Sequence, residues 1–415
     1  MPVSISTLVE PIAPARLGRS FRWLLSATVV TNVGDGVALA AGPLLVASQT
    51  RDPLLVSMAL LSQYLPHLVF GLVAGAAADR LDRRRIVAGV NLGRAVVLAA
   101  LAATIVSGTA NIAVVLLALF VLGTAETFAD AASSGLLPRL VARGDLGIAN
   151  ARMQGAFLLM NQLLGPPIGA FLFALGMALP FATNAACFAL GALLVSRVVH
   201  GVPDETHRER SSVGADIVEG VRWLAAHPPM RTLALTIFSF NVTYGAAWSV
   251  LVLYSSERLG MSEVGFGLLT TAVAVGGIVG IAAYDRLERR FSLADIMRVG
   301  LLIETGTHLS LALATSPAVA LATMVVFGAH AFVWGTTSTV VRQRAVPDAL
   351  LGRIGSAYRI ALIGGLVIGT PIGGLLARTY GITAPFWFGF AGSALLVVIL
   401  WRQFEHIVHA GGQEP

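Results

Sequence analysis

Lysine is absent from this 415-residue chain, and all 28 basic residues are arginine. A Walker A phosphate loop needs its lysine, so ATP-driven pumping by that device is excluded. Schiff-base chemistry on a lysine goes with it, and retinal or pyridoxal phosphate as a cofactor is excluded too. Cysteine occurs once, at Cys187 in an apolar run, and leaves no partner for an intrachain disulfide. Charge is scarce: 12% of the residues are Asp, Glu, Lys or Arg, against about 25% in soluble domains. The eight histidines are scattered, and neither HExxH nor GxSxG occurs, so no metal, nucleophile or cofactor site is expected. Apolar residues take the place of charge, at 56% of the chain with a mean hydropathy of +0.79. This composition is that of a membrane protein.

A helix needs ~20 predominantly apolar residues to cross ~30 Å of hydrocarbon. Twelve such stretches recur, at 22–47, 54–78, 86–107, 111–134, 152–176, 179–199, 231–254, 264–284, 296–315, 318–340, 354–377 and 383–402. A lipid-exposed backbone has to satisfy its own hydrogen bonds, so the spans are helices and the fold class is all-α. With the N-terminus inside, only Arg51, Arg258 and Arg378 face outward, and the rest, including the cluster Arg80 to Arg85, face the cytoplasm. The positive-inside rule then puts both termini in the cytoplasm. The net charge of +6 is a consequence of topology, and arginines dispersed over loops without interleaved aromatics do not suggest nucleic acid.

Residues 1–20, with Pro2, Pro11 and Pro14, are expected to form a cytoplasmic tail with no long apolar core and hence no cleavable signal peptide, and the first span acts as the targeting signal. Residues 200–230 are the only long polar segment. Within it Val213, Ile217, Val221 and Leu224 recur at helical spacing before His227-Pro228-Pro229, which predicts an amphipathic helix on the inner leaflet. The expected organisation is therefore a tail (1–20), a six-helix bundle (21–199), a linker (200–230), a second six-helix bundle (231–402) and a tail (403–415).

The two halves match at an offset of 205 to 206 residues. Asp79-Arg80-Leu81-Asp82-Arg83-Arg84 pairs with Asp285-Arg286-Leu287-Glu288-Arg289-Arg290, while Gly147, Pro166 and Gly169 pair with Gly352, Pro371 and Gly374, and Asp35 falls opposite Asn241. An even number of helices per half gives parallel repeats about an axis along the membrane normal, with a site near the midplane, as in secondary transporters.

These residues resemble the major facilitator superfamily, and within it the branch similar to enterobactin-exporter and macrolide-efflux proteins, over essentially the whole chain. Gly75-Ala-Ala-Ala-Asp79-Arg80-Leu81-Asp82-Arg83-Arg84 is similar to the superfamily's signature loop, with Asp82 where that pattern usually has glycine. Gly165-Pro166-Pro167-Ile168-Gly169-Ala170 resembles the core of the antiporter motif, with Asn161 and Ala170 in place of its outer glycines. Val346-Pro347-Asp348 through Gly352-Arg353 resembles the branch's loop before the eleventh span. The arginine that many proton-coupled drug exporters carry on the fourth span is missing, and Glu126 lies in that span instead. The resemblance implies a charge relay at the cytoplasmic end of the first bundle, formed here by Asp79, Arg83 and Asp130. The bland alternative for these three is ordinary loop charge with a snorkelling aspartate.

A charge at mid-membrane costs about 2.5–3.5 kcal/mol even on insertion scales, so each one is a functional candidate. Asp35 in the first span and Glu126 in the fourth reach similar depth, and are the candidates for proton or cation coupling. The alternative is a structural carboxylate held by the hydroxyls of Thr28 or Thr31. Arg94 and Arg359 are placed within two turns of the cytoplasmic face, where snorkelling suffices, so no arginine is expected at mid-depth. Glu304 and His308, four residues apart, share a helix face and can pair, either structurally or for transport. Asn32, Asn241, Tyr244, Trp248, His330 and Trp334 are the candidate substrate-cavity residues, because aromatic walls suit amphiphilic or cationic ligands. Helix-spaced aromatics also arise from packing alone, and Gln63, Tyr64 and His67 carry a weaker signal still.

The expected protein is a non-enzymatic secondary transporter of the bacterial inner membrane, sufficient as a monomer, whose partners are a small molecule, protons and the lipid bilayer. It exports a drug-like or siderophore-like amphiphile by proton antiport. The rivals are an importer of a neutral or cationic solute and a non-transporting receptor or scaffold; anion uptake is disfavoured because no mid-depth arginine is expected.

Overall fold

The computed structural model describes residues 14–199, 213–347 and 350–408, and every regular element among them is helical. Pro2, Pro11 and Asp348, residues 200–212 of the expected linker and residues 409–415 of the expected tail lie outside the described residues. Before the linker come α1 (Gly18–Gln49), α2 (Pro53–Arg80), α3 (Arg83–Val106), α4 (Ile112–Ser133), α5 (Leu146–Ala156), α6 (Gly165–Leu175) and α7 (Leu179–Ser196). After it come α8 (Val213–Ala226), α9 (Pro228–Trp248), α10 (Glu263–Arg290), α11 (Leu293–Leu313), α12 (Pro317–Ala345), α13 (Leu351–Tyr380), α14 (Ala384–Leu400) and α15 (Gln403–Val408).

Each of the twelve predicted spans falls on helix. Among the described residues ten helical stretches are long and apolar enough to cross a membrane, and α9 together with Leu251–Arg258, bent by 41°, makes an eleventh. The remaining apolar helix, α14, has 17 residues.

The breaks have local causes. Pro166 and Pro167 carry no N–H, so the carbonyls one turn earlier lose their helical donors. The eight residues before Gly165, Phe157–Leu164, wind as π-helix, and the Gly165 N–H reaches back to the Met160 carbonyl. At the bend after α9, the Ser249 hydroxyl donates to the carbonyls of Ala246 (3.0 Å) and Thr370 (3.3 Å), competing with the regular ladder. Pro371, by contrast, sits inside a continuous α13.

The chain divides into two compact units: Met1–Leu45 with Val69–Arg210, and Val46–Leu68 with Ser211–Pro415. In unit 1, α3 packs against α4 and α7, and Phe21, Leu24, Val87, Leu137 and Val195 belong to a buried apolar cluster. In unit 2, α9 packs against α13, α10 against α12, and α11 against α12 and α14; Met230, Leu233, Met297, Trp334 and Phe404 lie in its core.

Both units contain the same glycine-mediated crossing. Gly165 and Gly169 lie against Gly36 and Val37 of α1, and Gly365 and Gly369 lie against Asn241 and Val242 of α9. This corrects the repeat alignment: the counterpart of Gly169 is Gly369, whereas Gly374 packs on Leu54 and Ser57. The charged block has shifted as well: Asp79–Arg84 spans the end of α2, the loop and the start of α3, whereas Asp285–Arg290 lies within α10 and Ser292 is the cap equivalent to Asp82.

The predicted linker helix exists as α8. It docks on the start of α13, with Gly220 against the Arg353 carbonyl and Glu219 paired to Arg353 at 3.0 Å. Asp82, standing where the superfamily pattern has glycine, is the N-cap of α3 and accepts from the backbone N–H groups of Arg84 (3.0 Å) and Arg85 (3.3 Å). Ser292 caps α11 in the same way, accepting from the Asp295 N–H at 3.1 Å. Asp82→Ala is expected to destabilise the protein by about 1 kcal/mol, the usual cost of losing such a cap, measured by thermal unfolding in detergent; an unchanged midpoint would reject the capping role.

Candidate functional site

Unit 1 brings Asp35 of α1 and Glu126 of α4 to one cation. That cation is Arg94 of α3, whose Nη2 lies 2.5 Å from Asp35 Oδ1 and 3.9 Å from Glu126 Oε2. The guanidinium also sits over the Phe188 ring of α7, 3.9 Å from its centroid.

The expectation that Arg94 snorkels near the cytoplasmic face, and that no arginine stands at mid-depth, is therefore corrected. The third helix starts at Arg83 rather than at residue 86, and Arg94 is the middle residue of its 24, facing inward at 6% exposure. Burying a guanidinium without a counter-charge is costly, so this position requires an acid beside it. Asp35 supplies it with the stronger contact. The hydroxyl alternative for Asp35 is not the arrangement found: Thr31 Oγ1 donates to the Thr28 carbonyl at 3.3 Å, and the Asn32 amide donates to the same carbonyl at 2.8 Å. Arg359 lies exposed on α13.

With both carboxylates ionised the trio carries one net negative charge. A single proton, or a single cationic group, neutralises it. Two acids facing one guanidinium at unequal distances also give Arg94 two possible partners.

At the cytoplasmic end, Arg83 Nη2 pairs with Asp79 Oδ1 at 2.9 Å across one helical turn. Gly135 lies against the Arg83 guanidinium, where a larger residue would collide with it. Asp130 is exposed on the last turn of α4. In the segment resembling the antiporter motif, Gly165, Pro166, Gly169 and Ala170 are all buried. Asn161 is buried in the π-helical turn and accepts from the Gln162 amide at 2.7 Å.

In unit 2 the aromatic candidates assemble into one cluster. Tyr244 and Trp248 stack with centroids 4.4 Å apart, and Phe327 packs 4.7 Å from Trp248. Tyr244, Trp248 and Asn241 are partly exposed, the last with its amide donating to the Ile237 carbonyl at 2.8 Å. Trp334 (5% exposed) and His330 (7%) lie deeper. Trp334 packs 5.0 Å from Phe240 in the core, and His330 Nε2 lies 3.2 Å from Glu304 Oε2. The Glu304–His308 pair expected from spacing is present, at 3.3 Å. His330, from the next helix, is the member that sequence spacing did not reveal. No group of three or more His, Cys, Asp or Glu residues fit to hold a metal ion occurs among the described residues.

Residues 9–409 match the family described as transmembrane secretion effector. The chain is 30% identical to the multidrug efflux pump Tap of Mycolicibacterium fortuitum over 383 residues, covering 88% of this chain and 90% of that one. It is 31% identical to Tap of Mycobacterium tuberculosis over 294 residues, covering 67% and 69%. Among solved structures, the nucleoside transporter NupG is similar in fold, with a TM-score of 0.73 at 14% identity over 94% of this chain and 99% of that one. So is a bacterial homologue of the iron transporter ferroportin in its inward-facing state, with a TM-score of 0.74 at 18% identity over 93% and 98%.

Proposed function

We propose a function from one premise: this chain belongs to the transmembrane secretion effector family of the major facilitator superfamily and is a multi-pass membrane transporter. The reading is that it exports small amphiphilic compounds, drug-like or siderophore-like, across the bacterial inner membrane by proton antiport with alternating access. The chain then crosses the membrane twelve times as two six-helix bundles, with both termini cytoplasmic. The identity with pumps named for multidrug efflux supports the direction and the cargo class.

The observation that carries the coupling is Arg94 held between Asp35 and Glu126. Because the three groups sum to one negative charge, the site accepts a proton or a cationic cargo but gains nothing from holding both. That is the condition for exchange: loading one favours release of the other. Since Arg94 is already compensated, it offers no free positive charge to an anion, and neutral or cationic cargo remains the better fit. When Asp35 is protonated, the attraction that holds Arg94 weakens and the guanidinium can turn toward Glu126, moving α3 relative to α1. Asp79, Arg83 and Asp130 are the proposed cytoplasmic gate, and Asn32, Asn241, Tyr244 and Trp248 the proposed cargo contacts, backed by His330 and Trp334. Gly165, Pro166 and Gly169 set the close α1–α6 approach on which rocking would act.

The energetics suffice. One proton entering down ~150 mV yields about 3.5 kcal/mol at ~2.3 kcal/mol per 100 mV, enough for a cargo gradient of a few hundredfold at ~1.4 kcal/mol per decade. Everted vesicles test the reading. Wild type is expected to accumulate a dye or antibiotic from a panel that includes ethidium and tetraphenylphosphonium when the lumen is acid, and Asp35→Asn to abolish the pH-driven component. No pH-dependent accumulation of any member, or an Asp35→Asn variant that behaves as wild type, rejects proton antiport through this site.

A further inference from the structure

We propose that Glu304, His308 and His330 form a second proton-binding site, built wholly within unit 2 and separate from the Asp35–Arg94–Glu126 site. Glu304 directs one oxygen at each imidazole: Oε1 lies 3.3 Å from His308 Nε2 and Oε2 lies 3.2 Å from His330 Nε2. All three side chains are nearly inaccessible, at 4%, 0% and 7% exposure. Two glycines make the room. A Cβ at Gly389 of α14 would collide with the His308 ring, and one at Gly300 would press on His330 and Trp334.

Charge balance leads to the proton. An ionised carboxylate buried without a cation is strongly disfavoured. Among the described residues, the charged groups acting on Glu304 are the two imidazoles and no arginine. From α9 Tyr244 feels the charge of Glu304, and it also interacts with Tyr64 of α2. From α12 comes His330, and α14 brings Gly389 and no titratable group. At the far end of α11, Arg298 is occupied by Glu405 at 2.6 Å. A proton is thus the counter-charge available to this acid, and the carboxylate offers it two addresses.

The second observation is that His308 is unsatisfied. Both its ring nitrogens are buried without an aligned hydrogen bond, even though Nε2 stands within ion-pair distance of Glu304. A fully buried imidazole in that state is poised to gain a donor-acceptor partner when the shared proton moves from His330. The site also abuts the aromatic cluster: Trp248 lies edge-on 6.2 Å from His308, and Trp334 lies 6.0 Å from His330. A cation arriving at Trp248 would oppose a proton on His308, and this use of the site rests on the transport reading above. The binding of the proton does not.

Tryptophan fluorescence of the purified full-length protein carrying Trp223→Phe, in detergent and without cargo, tests it: an imidazolium quenches an adjacent indole, and Trp223, stacked on His227 at 4.7 Å, would otherwise report a third histidine. That protein is expected to show a quenching step as the pH is lowered and the triad takes up its proton. Glu304→Gln should shrink the step, since a buried imidazolium is then left without its counter-charge, and His308→Gln with His330→Gln should remove it. Asp35→Asn should leave it in place. A step that is unchanged in both histidine variants overturns the proposal. Should those variants fail to fold, Trp248→Phe and Trp334→Phe leave the triad intact and remove the reporters, and a step that survives their combination overturns it as well. Loss of the step in the histidine variants of a protein that transports nothing would reject antiport and keep the proton site. Transport abolished by Asp35→Asn, with a step indifferent to the histidines, would do the reverse.

Discussion

Arg94→Met is expected to destabilise unit 1 by about 3–5 kcal/mol, the usual cost of removing one partner of a buried ion pair, and to end pH-driven accumulation in everted vesicles. The loss is electrostatic before it is steric. Methionine fills most of the space beside Phe188, but it leaves Asp35 facing Glu126 with no cation between them. The penalty exists only while the acids are charged, so thermal stability of the variant should recover as pH is lowered and they become protonated. The double variant Asp35→Asn, Arg94→Met separates the pair from its surroundings: replacing both partners of a buried ion pair is often close to neutral, so it should unfold at a temperature nearer wild type than Arg94→Met does. Arg94→Lys keeps the charge but not the planar fork that spans two carboxylates and lies flat on a ring, and is expected to fold while transporting at most a tenth as fast. An Arg94→Met protein as stable as wild type, or additive single losses in the double variant, would remove Arg94 from the centre of this site.

Much of this arrangement is legible in the sequence, for reasons that can be traced residue by residue. Asp35 and Glu126 stand out because an acid inside an apolar run is costly, so its mere presence is a signal. Glu304 and His308 are readable because four residues along a helix return to the same face. Arg94 fails the same test for a geometric reason. Hydropathy starts its span at 86, three residues after the helix begins at Arg83, because Arg83 to Arg85 look like loop charge. Asp82 caps the helix just ahead of them, and a capping aspartate before a basic run was the signal that could have fixed the start. His330 could not be found by spacing, because its partner is 26 residues away on another helix, and only packing reveals such a pair. Trp334 shows the opposite limit. Expected to face a cavity, it lies in the apolar core, since the same helical spacing serves packing and cargo alike.

The repeat teaches a related point about the glycine crossings, and leads to the second large effect. Gly169→Ala and Gly369→Ala are each expected to destabilise the protein by about 1–3 kcal/mol, the range for overpacking a tight interior, and to lower its yield in membranes. A Cβ at Gly169 would land on the Val37 carbonyl oxygen, and one at Gly369 on the Val242 carbonyl oxygen. These obstacles are backbone atoms of the facing helix. They cannot rotate aside as a side chain does, so α1 and α6, or α9 and α13, have to separate along their length. Gly155→Ala and Gly355→Ala make the identical chemical change at positions where a Cβ meets nothing within 4 Å. There the higher helix propensity of alanine, worth ~1 kcal/mol, should leave stability equal or improved. None of the four glycines has a positive φ, so backbone strain does not enter, and the difference between the two pairs isolates helix contact. Because the crossing recurs in both units, Gly169→Ala and Gly369→Ala should fall together. If all four variants melted at the wild-type temperature, close helix approach would not be what these glycines supply. If only one of the crossing pair were sensitive, the two crossings would not be structural equivalents, and the register that pairs Gly169 with Gly369 instead of Gly374 would be wrong.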